Sequence, residues 1–234
     1  MEERNAVEQF EKNIQERYFL KKKVNIVVCS IIFLLGVTAF VYKANYEGGF
    51  LTCFRELTCC GAAYSSVCAL ACAVISYVEY AKDTEFNSKT LYYFRLSSCA
   101  TEFIILVIVI VGYLPFVPAR PKILRYDMMN MHVLIPILTV LSFTINDPPI
   151  GKLKPRQCFG GLIFPYAYMI GILACILTGI VPREKIPYFF LDIQNQPLWF
   201  SLIAFALISL LGFALSWAFS ELNRRAYWLW FKKH

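Results

Sequence analysis

His132 is one of two histidines in the chain, the other being His234 at its last position. It opens the apolar run His132-Val133-Leu134-Ile135-Pro136-Ile137-Leu138, which reads as the mouth of a transmembrane helix. An imidazole is costly in hydrocarbon unless it lines a cavity or has a partner, so a histidine there marks a candidate functional site. The plain alternative is an interfacial histidine bonded to a neighbour. A neutral imidazole has the right basicity for proton abstraction near neutral pH. Thr58, in Phe54-Arg55-Glu56-Leu57-Thr58, offers a hydroxyl that such a base would turn into a nucleophile, with Thr52 in Leu51-Thr52-Cys53 as a second choice. Arg55 would stabilise developing negative charge, and Asp192 would orient the imidazole. Each has a structural alternative. A threonine in a membrane helix bonds its own backbone, and Arg55 and Glu56 near a span end would snorkel to the interface. Tyr166 and Tyr168 are more often packing than chemistry. Glu102 falls in mid-span, where it must be protonated, paired or solvated, and Arg95 is a candidate partner.

The elements that must position these residues follow from composition. The chain has 234 residues, of which 58% are hydrophobic, with a mean hydropathy of +0.54. A soluble domain is nearer to about 45–50% apolar, and here the apolar residues come in long runs. The fold class is therefore all-α: a polytopic membrane protein built as a six-transmembrane-helix bundle. The spans are expected at about 24–42, 51–78, 91–117, 131–146, 159–181 and 198–220. Pro136 and Pro165 lie inside the fourth and fifth, where a kink or cavity can satisfy a freed carbonyl. On this reading Thr58 lies roughly 10 Å below the start of the second span, at 1.5 Å per residue.

Residues 1–23 form a cytoplasmic N-terminal helix with the apolar stripe Val7, Phe10, Ile14 and Tyr18, closed by Lys21-Lys22-Lys23. Residues 24–220 are the membrane domain, and 221–234 a basic, aromatic tail with Trp228, Trp230, Phe231, Lys232 and Lys233 as an interfacial anchor. With a cytoplasmic N-terminus, fifteen of the twenty-one Lys and Arg outside the spans lie on the inner side, so both termini are expected in the cytoplasm, of a plasma membrane or an endomembrane. Thr58, His132, Arg55 and Asp192 then share the outer half of the bilayer. The first apolar run is too long for a cleavable leader and is expected to be a retained anchor.

The net charge of +7 does not point to nucleic acid, because the basic residues flank apolar segments and face lipid head groups. Nine cysteines include no CxxC pair and no Cys/His zinc spacing, so neither a metal nor another cofactor is expected. Walker, G-x-S-x-G, H-E-x-x-H and Gly-rich dinucleotide motifs are absent.

Four stretches in order are Phe54-Arg55-Glu56-Leu57-Thr58, Thr101-Glu102-Phe103, His132 with Pro136 and Leu138, and Pro187-Tyr188-Phe189-Phe190-Leu191-Asp192. Together they resemble the androgen-induced-gene and androgen-dependent membrane hydrolase family, and the bacterial six-span membrane proteins similar to it. The resemblance covers roughly residues 25–222 and is most specific from Met131 to Asp192. It implies a threonine hydrolase acting on a lipid substrate, a fatty-acid ester, with Thr58 as nucleophile, His132 as its helper, and Arg55, Asp192, Glu102 and Tyr188 in support. Glu56 stands where that family carries an aromatic or apolar residue, which puts a carboxylate beside the site. The final motif places the chain nearer the bacterial proteins than the animal enzymes. Two other functions compete: a transporter or channel with a polar path through Glu102, Arg95, Arg55 and His132, and a non-catalytic membrane protein. Against transport, the halves show no internal repeat.

Overall fold

The computed structural model describes residues 2–47, 49–86, 88–113, 125–193 and 195–231. Six helices are long and apolar enough to cross a membrane: α1, Glu2–Tyr46; α2, Leu57–Lys82; α3, Lys89–Val107; α4, Tyr126–Asn146; α5, Pro155–Leu177; and α6, Leu198–Tyr227. No strand occurs among the described residues. This is the expected all-α bundle of an integral multi-pass membrane protein. Pro118, Arg120, Pro121 and Lys122 of the loop after α3, and Lys232 and Lys233 of the tail anchor, lie outside the described residues.

The boundaries carry two corrections. The N-terminal helix does not stop at the lysines: α1 is one 45-residue helix. Lys21 and Lys22 are buried rather than capping a surface helix. The second span starts later than expected. A single helical turn, Phe50–Cys53, and a bend at Phe54–Glu56 precede α2. Thr58 is therefore the second residue of α2, at its mouth rather than two turns below it.

α1 packs along α2, α3 packs against α2, α4, α5 and α6, and α4 closes the bundle against α1, α3 and α6. The outward faces carry Val67, Val74, Ile110, Leu202, Leu207 and Leu210, an apolar coat suited to lipid. Apolar attraction between helices is weak when the solvent is also apolar, so close backbone approach matters. Gly36 makes it possible for α1 and α2: a Cβ there would sit 1.7 Å from Ser66 Oγ and 3.3 Å from the Ala62 carbonyl oxygen.

Both termini lie at one end of the bundle, where Arg17 donates to the Trp230 carbonyl at 3.3 Å. This end, with the α2–α3 and α4–α5 connections, is called inner below, after the orientation expected from the charge distribution. The opposite end is outer. Gly36→Val should force α1 and α2 apart and lower stability by about 1–3 kcal/mol, read as an earlier unfolding transition in detergent; an unchanged transition would refute the close packing.

Candidate functional site

At the outer end the site residues are held by a bend, a π turn and a returning loop. Pro136 has no N–H to offer the His132 carbonyl four residues earlier. The helix answers with a π turn over Asn130–Leu134, where the Ile135 N–H reaches the Asn130 carbonyl. Such turns re-aim the side chains they carry. His132 is half-buried on this turn, and its Nδ1 lies 3.0 Å from the Met128 carbonyl oxygen. A carbonyl only accepts, so Nδ1 carries the proton and Nε2 keeps its lone pair. Met128, rather than Asp192, thus orients the imidazole. The Asp192 carboxylate accepts from Asn195 Nδ2 at 2.7 Å.

Thr58 is half-buried, in the first turn of α2. Other helix threonines bond a carbonyl three or four residues back: Thr38 to Leu34 at 2.7 Å, Thr101 to Ser97 at 2.7 Å and Thr144 to Val140 at 2.8 Å. The residue four before Thr58 is Phe54, in the non-helical bend, so this internal partner is missing. Thr52 is committed, its hydroxyl donating to the Gly49 carbonyl at 2.5 Å. α2 touches the π turn that bears His132. No hydrogen bond joins Thr58 to His132.

Glu56 does not snorkel. It takes the buried Lys43 ammonium at 2.5 Å, and Lys43 also meets Glu47 at 3.2 Å. Arg55 takes no part in this pair: its Nε donates to the Thr52 carbonyl at 3.3 Å, while its own carbonyl accepts the Tyr168 hydroxyl at 2.6 Å. The Pro187–Asp192 segment folds back over this point. Its Tyr188 oxygen accepts the Leu57 N–H at 3.1 Å, satisfying one of the orphan donors at the start of α2. Burial pushes the Tyr188 phenol up to about 12.

Glu102 faces the bundle interior, as its cost in lipid requires. It is fully buried and accepts from Ser65 Oγ at 2.7 Å. Ser65 in turn accepts from Ser98 at 2.7 Å. Arg95 is not its partner. The two lie seven residues apart on α3, about 10 Å along the axis. Arg95 turns to the inner end, where Nε meets Asp147 at 2.8 Å and Nη2 donates to Ser142 at 3.0 Å.

The inner end holds a cluster not anticipated from the sequence. Lys22 pairs with Glu79 at 2.5 Å, Asn25 Nδ2 donates to Ser76 at 2.9 Å, and Asn223 Nδ2 donates to the Phe143 and Asp147 carbonyls at 2.9 and 2.8 Å. The signal available was the recurrence of polar residues at helical spacing in otherwise apolar spans: Lys22 with Asn25, and Ser76 with Glu79. Among the described residues no group of three His, Cys, Asp or Glu is arranged to hold a metal ion.

Compared with family models, curated proteins and solved structures, the chain finds no match.

Two outcomes test the geometry. Asp147→Ala leaves Arg95 buried and unpaired and should cost about 3–5 kcal/mol, whereas Glu102→Gln keeps an acceptor for Ser65 and should cost about 1 kcal/mol or less; denaturation in detergent reads both. Tyr188→Phe removes the Leu57 bond. Because the folded phenol titrates near 12, above its ordinary value of about 10, the unfolded chain loses this proton first. The Tyr188 contribution is complete below the ordinary value and falls as pH rises from there toward 12. Wild type should therefore lose stability over that window relative to Tyr188→Phe.

Proposed function

We propose that this membrane protein is a threonine-dependent hydrolase acting on a lipid ester, with Thr58 as nucleophile and His132 as general base at the outer end of the bundle. The observation that carries the reading is the state of the imidazole. Nδ1–H donates to the Met128 carbonyl at 3.0 Å, which leaves Nε2 as the base the chemistry needs. A second feature agrees with it. Thr58 stands in the first turn of α2, where the back-bond that occupies other helix threonines has no helical carbonyl to reach.

In this reaction Nε2 of His132 takes the Thr58 hydroxyl proton as the oxygen attacks the ester carbonyl. The same proton then passes to the departing alkoxide, leaving an acyl-threonine. Water attacks the acyl-threonine in turn, with Nε2 again accepting a proton and returning it to Thr58. Arg55, three residues before Thr58, supplies positive charge for the oxyanion. Glu56 is held by Lys43 at 2.5 Å, so its charge is compensated rather than opposing the oxyanion. Tyr188 fixes the start of α2 through Leu57 at 3.1 Å and is a positioning residue.

A second reading, a polar transport path, draws on the buried Ser98–Ser65–Glu102 relay in the middle of the bundle. The two separate on one experiment. A fluorophosphonate probe applied to the purified protein should label Thr58, with labelling lost in Thr58→Ala and reduced about 10²–10⁴-fold in His132→Ala. Unchanged labelling of Thr58→Ala would overturn the hydrolase reading. Proton-coupled uptake into vesicles, abolished by Glu102→Gln, would favour transport.

A further inference from the structure

Three cavities follow one another at the inner end. An open groove of about 660 Å³ is lined by Tyr18, Glu85, Pro148 and Tyr227 among others. A narrow passage of about 30 Å³ shares those four residues and adds Lys22, Glu79 and Phe86. A chamber of about 40 Å³ shares Lys22, Glu79, Phe86 and Pro148 with the passage and reaches Asn25, Ser76, Arg95 and Asp147. The shared lining residues place these cavities next to one another, in order from the surface to a guanidinium fully buried in the bundle.

The hydrogen-bonding capacity left in the chamber is mainly that of donors. Arg95 spends Nε on Asp147 and Nη2 on Ser142, while Nη1 is buried with no partner among the described residues. Lys22 directs one of its three hydrogens to Glu79. Glu79 is engaged on both oxygens, by Lys22 on one and by the Phe86 N–H at 2.6 Å on the other, while Asp147 gives Oδ2 to Arg95. A buried guanidinium hydrogen without an acceptor is costly, so the chamber calls for an acceptor.

Size narrows the choice. One water needs about 10–15 Å³ of such space, so 40 Å³ admits two or three non-hydrogen atoms and no acyl chain. We propose that this chamber is a binding site for a small anion, a carboxylate or a halide, admitted from the inner face past the Lys22–Glu79 pair and held by Arg95 with Asn25 and Ser76. It is remote from Thr58 and His132 and does not depend on the hydrolase reading. A cation fits poorly, because it would meet the Lys22 and Arg95 charges while Glu79 has both oxygens engaged.

Equilibrium binding of radiolabelled formate, a carboxylate of three non-hydrogen atoms, to the full-length protein in nanodiscs tests this, with chloride and the larger gluconate as competitors. One saturable site per chain is expected, displaced by unlabelled formate and chloride and not by gluconate. Ser76→Leu, which fills the chamber, should weaken binding at least about tenfold, as should Arg95→Gln combined with Asp147→Asn, which removes both charges together. No saturable binding would mean that water alone occupies the chamber and would overturn the proposal. So would binding that survives Ser76→Leu, which would place the anion elsewhere. If the double variant does not fold, Ser76→Leu decides alone.

Discussion

The buried pair of Arg95 and Asp147, 2.8 Å apart, sets the terms for the rest of the bundle. A guanidinium that is 1% exposed in an apolar bundle has no water to fall back on, so its partners must come from other elements. Asp147 supplies the charge from the end of α4, and Ser142 supplies an acceptor one turn earlier. Asn223 of α6 then holds the Asp147 and Phe143 carbonyls. One cation thus fixes α3, α4 and α6 relative to one another. The same logic recurs along α1, where Lys22 meets Glu79 near one end of α2 and Lys43 meets Glu56 at the other. Two ion pairs set the register of these helices, which apolar faces alone specify weakly.

Packing between those ionic contacts relies on small residues. Gly36, Ala62 and Ser66 let α1 and α2 approach closely, and Gly161 receives Ser216 of α6 in the same way, with 1.7 Å to the hydroxyl from a Cβ placed there. Close approach shortens the reach between side chains, so the buried hydroxyls of Ser65 and Ser98 can relay to Glu102. A mid-span carboxyl is then met by donors instead of by lipid.

The irregular backbone that carries the candidate site residues lies at the outer end. A bend at Phe54–Glu56, a π turn at Asn130–Leu134 and the folded-back Tyr188 segment bring together the residues whose chemistry is of interest. Each departure has a cause in sequence or contact. Pro136 withholds an N–H, and Tyr188 supplies an acceptor to a helix start that has no side-chain cap of its own. The inner end carries buried ion pairs whose polar groups face a chamber instead of a loop cluster. The molecule therefore carries two polar sites of different character, at opposite ends of one apolar bundle.

The sequence by itself determined the six spans, because long apolar runs are set by composition and not by neighbours. It also required an inward Glu102, because a carboxyl facing lipid is too costly at that depth. It marked His132 as a residue in need of a partner. Only the tertiary structure decided which partner each group received. Arg95 took Asp147, 52 residues away, over Glu102 on its own helix; Lys22 took Glu79 at a separation of 57; and Leu57 took Tyr188 at 131. Helical periodicity tells which face a residue occupies, but not which helix stands opposite. The start of α2 and the continuity of α1 escaped the sequence for a related reason. Hydropathy does not register a bend held by a distant tyrosine, or lysines that keep their helix running because a glutamate and an aromatic ring wait on neighbouring spans.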